Sequence, residues 1–321
     1  RLNVKSEIGL WNFNRVVAES NKEWNNYLGR IKIKGGTEKQ KVKFYTDLWH
    51  SLLGRKISSD VDGKYCDMTG NSPVIRQIEL GANGKPKHNQ YNFDAWWGSH
   101  WNLNVLWSMV YPEIMDEFCA SMVEMYKHGG LIPRGPSGGN YTFVMIGDPA
   151  ASFFASAYNK GIRNYDVQKA YEGLYKNAFL GGIRDRAGYE IGGNPKGGGM
   201  FYYLERGYVP EGIEGKGMHL DGASMTLEYA YQDWCVGQLA KADGLTVIGI
   251  VGSDEKADWI VNELGFDGAV NYKTDDLAAK LAELTPKGID VYFENTGGPI
   301  QHHVFSRMNA HGRIAVCGLI A

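Results

Sequence analysis

Residues 226–244 read TLEYAYQDWCVGQLAKADG, and the fold turns on how that stretch is read. The residues MTLEYAYQDW (225–234) carry helical periodicity, so a single helix is expected from Thr226 to Lys241. A β-strand at 222–230 running into a tight turn would give a different protein. Residues 1–240 hold eight of the nine tryptophans, with Gly-rich breaks between helix-like runs. Downstream the rhythm becomes strand–helix–strand. The six residues Gly237–Ala242 suit either side, which makes the seam a splice inside a helix.

Downstream, LTVIGIV (245–251) is a short β-branched run. Ser253 can cap a helix whose first turn carries Asp254 and Glu255, and Gly265 suits its C-terminal end. AVNY (269–272) reads as a second strand, and Thr274, Asp275 and Asp276 open a second helix. IDVYFEN (289–295), a helix after Gly298, and RIAVCGL (313–319) complete the pattern. Alternation at this spacing argues for a parallel α/β sheet with right-handed crossovers.

Upstream, helical spacing is expected over Lys41–Leu53, Asn102–Tyr126 with a break at Pro112, Asp148–Tyr158, Val167–Ala178 and Gly222–Ala240. Long loops such as 129–147 and 181–217, rich in Gly and aromatics, suit a binding face on a helical scaffold. Asp60 and Asp62 in SDVDG suggest a turn held by Asp side chains, because the glycine falls too early for a calcium-binding EF-hand loop.

The chain has 321 residues, 43% apolar and 22% charged, with net charge −2, which prefers two domains of a globular protein. Near-neutral balance without a basic run argues against nucleic acid, and Leu245–Gly252 is too short to span a bilayer. The chain begins at Arg1, which reads as a trimmed start. Four scattered cysteines (Cys66, Cys119, Cys235, Cys317) show neither a CxxC pair nor a zinc spacing and read as free thiols. Asn140-Tyr141-Thr142 is a sequon of the kind met by chance.

The segments GQLAK (237–241), VIGIVGSDEK (247–256), ELGFDGAVNYK (263–273), PKGIDVYFENTGG (286–298) and RIAVCGLIA (313–321) resemble the nucleotide-binding half of zinc-independent, NADP-dependent medium-chain alkenal and enone reductases. The resemblance implies a Rossmann-like sheet. It also implies that Ser253, Lys256 and Tyr272 lie on the 2′-phosphate side of NADP, with Asn295 and Gly237 approaching the cofactor. The family's Gly-rich turn falls at Ala230, Asp233 and Gly237, so only the last glycine is present and a carboxylate stands where two phosphates bind. The first, central strand of that sheet is expected to be missing.

Upstream, FYTDLWHSLL (44–53), SDVDGKY (59–65), MYKHGGLIPRGPSGGNYTFVMIG (125–147), AYNKGI (157–162), DVQKAYEG (166–173), RGYVPEG (206–212) and TLEYAYQDWC (226–235) resemble glycoside hydrolase family 92, the calcium-dependent, inverting α-mannosidases. The resemblance implies the first portion of an (α/α)6 toroid, with a short helical lead-in at Leu2–Ser20 and a β-sandwich ahead of that lead-in. Inverting hydrolysis uses two carboxylates about 6.5–9.5 Å apart. In the family these, and most calcium ligands, come from helices beyond the seam. Trp96, Trp97, His100, Trp101, Arg134 and Asn140 are the expected sugar-facing residues. Relatives carry Trp-Asp-Thr where this chain has Trp97-Gly98-Ser99, so a sugar-contacting Asp is replaced.

The expectation is therefore a mixed fold: a partial toroid of helical hairpins over 1–240, then a partial Rossmann-like parallel α/β sheet lacking its central strand over 241–321. Functionally this is a truncated α-mannosidase-type hydrolase fused to a truncated oxidoreductase nucleotide-binding domain, without the full activity of either. An NADPH-dependent enone reductase and a non-catalytic carbohydrate-binding protein are the alternatives. Calcium belongs to one parent and NADP to the other, and the expected partner is a glycan or small molecule, with neither nucleic acid nor membrane. The compartments implied differ, exported or periplasmic for the hydrolase and cytoplasmic for the reductase.

Overall fold

The structure is a computed structural model that describes residues 2–93, 96–186, 197–212, 222–242, 244–263, 265–294 and 297–316. In chain order the helices are α1 (Leu2–Glu7), α2 (Phe13–Leu28), α3 (Glu38–His50), α4 (Leu103–Val110), α5 (Pro112–Gly129), α6 (Pro149–Asn159), α7 (Val167–Asn177), α8 (Met200–Arg206), α9 (Gly222–Ala242), α10 (Asp254–Asn262), α11 (Leu277–Leu284) and α12 (Gly298–Phe305). The strands are β1 (Lys56–Ile57), β2 (Lys64–Asp67), β3 (Val74–Gln77), β4 (Tyr91–Asn92), β5 (Ile248–Val251), β6 (Gly268–Asn271), β7 (Ile289–Glu294) and β8 (Met308–Val316). The chain divides into two compact units, Arg1–Thr142 with Ser152–Gly173, and Phe143–Ala151 with Leu174–Ala321.

Local chemistry accounts for the element ends in the first unit. The expected lead-in helix is split, because Asn12 takes an extended conformation and its side chain accepts from the Arg15 amide, starting α2 afresh. Thr37 and Gln40 form a reciprocal capping box at the start of α3. Pro112 occupies the first turn of α5, where its missing N–H costs nothing, and Gly130 closes that helix in the left-handed conformation. The buried face of α5 (Met115, Phe118, Cys119, Met122) packs into an aromatic core with Phe93, Trp96, Trp107 and Phe153. The Asp60–Gly63 turn is held by one of the two aspartate side chains, that of Asp62, and by the Asp60 backbone. The Gly63 amide donates to the Asp60 carbonyl, and the Lys64 amide and ammonium both donate to the Asp62 carboxylate. Two antiparallel pairs, β1–β4 and β2–β3, lie in the stretch between α3 and α4, which the sequence pattern left without elements.

In the second unit, α9 runs unbroken through the seam. Met225, Tyr229, Gln232, Val236 and Leu239 are buried at intervals of three and four residues, the stripe of a helix with one covered face. Met225 and Tyr229 pack with Met200, Tyr203 and Val209. Beyond it, β5 pairs in parallel with β6, and β7 in parallel with β8. Among the described residues these are two separate two-stranded sheets. One apolar cluster still joins them: Val270, Leu281, Tyr292, Ile300 and Val304, with Ile248 and Ile250 against it. The architecture is thus helix-rich with a small parallel-strand region. Helix α8 also lies against β8, so the helical and strand-rich stretches share this unit.

Candidate functional site

The six residues expected on a sugar-facing surface divide sharply by burial. Trp96 is fully buried, its ring stacked on Phe153 at 4.1 Å and tilted against Phe93 at 4.2 Å. Its indole N–H donates to Met122 Sδ at 3.0 Å. That ring is core rather than platform, a correction to the sequence reading. Arg134 is also fully buried, with Nη1 donating to the Thr142 carbonyl, so it braces its own loop from inside.

The other four reach solvent. Trp97 is 59% exposed and Trp101 81% exposed, far above what a core tryptophan shows. His100 is half-buried and Asn140 exposed. The His100 and Trp101 rings meet edge to face at 5.9 Å. Directly after the inward Trp96 and the outward Trp97 the chain turns at Gly98, which adopts φ 75°. Only a residue at ease in the left-handed region makes that turn cheaply. The Ser99 hydroxyl then donates to the Trp96 carbonyl at 2.7 Å and closes the turn. A Cβ at Gly98 would meet nothing within 4 Å, so backbone conformation, not crowding, is what glycine supplies there.

The loop carrying Arg134 and Asn140 is fastened beside this turn. The Trp96 amide donates to the Arg134 carbonyl at 3.3 Å, and the Gly138 amide to Asn92 Oδ1 at 2.7 Å. Its far end is tied by the Tyr141 hydroxyl, which accepts from the Leu131 amide and lies 2.9 Å from the Met125 and Leu131 carbonyls. Trp96 and Arg134 are thus neighbours through their backbones, while their side chains serve the interior.

The buried acids of the described residues serve the fold. Asp67 accepts from the Thr69 amide and hydroxyl and from Arg76 Nε. Burial pushes its pKa up, but these donors outweigh that and hold it below the usual carboxylate value. Asp148 accepts from Asn177 Nδ2 at 3.0 Å, and Asp185 from the Gly181 amide at 2.8 Å. Among the described residues no group of three or more His, Cys, Asp or Glu side chains is placed to hold a metal ion.

At the strand-rich end, Ser253 and Tyr272 are brought together at the C-terminal ends of β5 and β6. A Cβ on Gly252 would lie 3.1 Å from Tyr272 Cε1 and 3.3 Å from Lys273 Cε, so the glycine admits the tyrosine. Ser253 caps α10 by accepting from the Lys256 amide, and Lys256 is exposed. Asn271 and Lys273 complete this corner without having been singled out in the sequence. The buried Asn271 donates to Asp254 Oδ1 at 2.7 Å, which turns that acid toward the strand end. No short motif marks either residue; their position at a parallel strand's C-terminal end is the usable signal. Asn295 lies outside the described residues. At Gly237 a Cβ would meet nothing within 4 Å, so no close packing calls for a glycine there. A pyrophosphate clamp needs a strand, a turn and amides free at a helix N-terminus. Here those positions are interior to α9, so the residues present do not fit the dinucleotide's phosphates.

Comparison with known proteins accords with this division. The model of the glycosyl hydrolase family 92 catalytic domain matches residues 1–248. The chain belongs to glycosyl hydrolase family 92. A second model, described as zinc-binding dehydrogenase, matches residues 234–321. Among solved structures, a family 92 α-mannosidase of Bacteroides thetaiotaomicron aligns with TM-score 0.61 and 27% identity, over 75% of this chain and 29% of that one. An inverting mannosidase of the same organism aligns with TM-score 0.57 and 28% identity, over 75% and 30%.

Among curated proteins, one of Bacillus subtilis named as an NADP-dependent oxidoreductase is 34% identical over 198 residues, 60% of this chain and 52% of its own length. The NADP-dependent 2-alkenal reductase of Nicotiana tabacum is 51% identical over 87 residues, 27% of this chain and 25% of its own. The chain therefore spans about half of the first curated relative, a quarter of the second and under a third of the mannosidases. It is a family 92 region fused to an enone-reductase-like region. No described helix is long and apolar enough to cross a membrane.

Proposed function

We propose that this family 92 member binds glycans through the Trp97–Trp101 turn without hydrolysing them, and that its reductase-like segment carries no reductase activity. The helices of 1–240 are read as an arc of an (α/α)6 toroid. The two parallel pairs are read as a Rossmann-like sheet whose first, central strand has given way to α9. The observation that carries the proposal is the continuity of α9 from Gly222 to Ala242, which runs into residues 234–248 where the two family matches overlap. One helix cannot also be the strand and phosphate turn of a dinucleotide fold. It also leads into β5 and not into further hairpins from which an inverting pair of carboxylates would come.

A glycan role rests on the exposed tryptophans held by a rigid turn over a buried aromatic core. Aromatic faces with a few nearby polar groups, here His100 and Asn140, suit a sugar ring. The test has two arms. With α-linked mannobioses and added calcium, no turnover is expected; calcium-dependent release of mannose would defeat the non-hydrolytic reading. On an array of mannose-containing glycans, retention is expected and should be lost in Trp97→Ala/Trp101→Ala; an array without any bound glycan would remove the binding reading.

A further inference from the structure

Asp233 is the residue on which the two resemblances make opposite demands. In the dinucleotide frame it stands in the phosphate-binding turn. In the structure both of its oxygens are committed elsewhere: Oδ1 accepts from Arg184 Nη1 at 2.5 Å, and Oδ2 from the Tyr203 hydroxyl at 2.8 Å. Arg184 is fully buried, with its guanidinium 5.7 Å from the centre of the Tyr229 ring. Burial alone would lower the arginine's pKa, but Asp233 and Asp148 more than reverse this, and the group stays charged. Among the described residues its Nε and Nη2 have no hydrogen-bond partner, and Asp233 supplies its direct ion pair. A buried charge that loses its only direct counter-ion is strongly destabilising.

We infer that Asp233 is the structural counter-ion of Arg184, tying α9 to the Arg184–Arg186 turn and to α8, and that this commitment closes the dinucleotide site. The missing glycines are then a secondary matter. Ala230, Asp233 and Gly237 lie three and four residues apart on one stripe of α9, not around a loop. Restoring glycine at 230 and 233 would remove the ion pair without creating a turn. This inference rests on reading 234–321 as reductase-like, and it is independent of glycan binding.

The experiment uses the full chain and three variants: Asp233→Ala, Arg184→Met/Asp233→Ala, and Ala230→Gly/Asp233→Gly. Thermal unfolding is followed by circular dichroism, and NADPH binding by nicotinamide fluorescence. Asp233→Ala should lower Tm by at least about 6 °C, and adding Arg184→Met should recover part of that loss, because the stranded charge is gone. An unchanged Tm in Asp233→Ala, or a double variant no better than the single, would overturn the counter-ion role. The native chain should show no saturable NADPH binding at micromolar concentrations, and neither should the glycine variant wherever it folds. Micromolar NADPH binding by either would overturn the closure of the site. If the glycine variant does not fold, the native chain and Asp233→Asn, which keeps the shape and an acceptor for Tyr203, carry the NADPH arm. Mannobiose turnover would defeat the proposed function and leave this inference standing.

Discussion

Truncating Trp96 and truncating Trp101 should have opposite consequences, although they stand only five positions apart in a single short motif. Trp96 is fully buried and touches Phe93, Phe118, Trp107 and Phe153, with ring centroids 4.1–5.7 Å away. Trp→Ala in such a place costs about 3–5 kcal/mol, lost transfer energy plus the cavity left behind. Against a total stability of about 5–15 kcal/mol, that is a large part of what keeps this unit folded. Trp101 is 81% exposed, so it buries only about one-fifth of its surface, some 40 Å². At about 25 cal/mol per Å² its removal costs about 1 kcal/mol at most. Trp97, 59% exposed, falls between, at about 2 kcal/mol as an upper bound. Urea unfolding followed by far-ultraviolet circular dichroism measures the stabilities, and retention on an immobilised mannan column measures function. Trp96→Ala should shift the midpoint strongly. Trp101→Ala should leave it nearly unchanged yet weaken retention. If Trp96→Ala unfolds like the native chain, or if Trp101→Ala is as destabilised as Trp96→Ala, the division of this motif into core and surface is wrong.

Three further outcomes follow from single sites. Asp67 has a folded pKa held below its unfolded value of about 3.9, so its stabilisation is complete above that value and is lost as pH falls through the folded pKa; Asp67→Asn should therefore lower Tm near neutrality and flatten its decline in acid, read from melting curves between about pH 2 and pH 7. Gly173→Ala should destabilise despite the better helix former, because the new Cβ would lie 2.6 Å from Ile132 Cγ1 and 3.0 Å from the Tyr126 ring. Overpacking of about 1–3 kcal/mol exceeds the gain of about 1 kcal/mol in propensity, and a raised Tm would contradict this. Ser253→Ala should cost about 1 kcal/mol through loss of the α10 cap, measurable by hydrogen exchange of the first-turn amides around Lys256.

The seam was legible only in part. Tyr229, Val236 and Leu239 fall on one side of α9, but Met225, Leu227, Tyr229 and Tyr231 also alternate as a strand would, and the fold decides for the helix by leaving Leu227 and Tyr231 exposed. The four strands beyond it were legible as short β-branched runs between cap residues. The last was expected from Arg313 and begins at Met308, because pairing with β7 extends it, with a bulge, to Ile289. What the pattern could not carry was the direction of a side chain at a turn. Trp96 and Trp97 are identical in type and adjacent, yet one is core and the other surface, a difference that residue type does not carry. Arg134, expected on the sugar-facing surface through the resemblance, is fully buried, and its carbonyl and guanidinium both serve to hold the loop. Asp233 shows the limit most clearly. Sequence marked it as a carboxylate in the wrong place for phosphates, a statement about one parent alone. Its partner Arg184 lies 49 residues earlier, so only the folded chain reveals that the same carboxylate is needed where it stands. The helix persists through the seam because its side chains are already spoken for on the helical side, and the reductase-like strands had to begin after it.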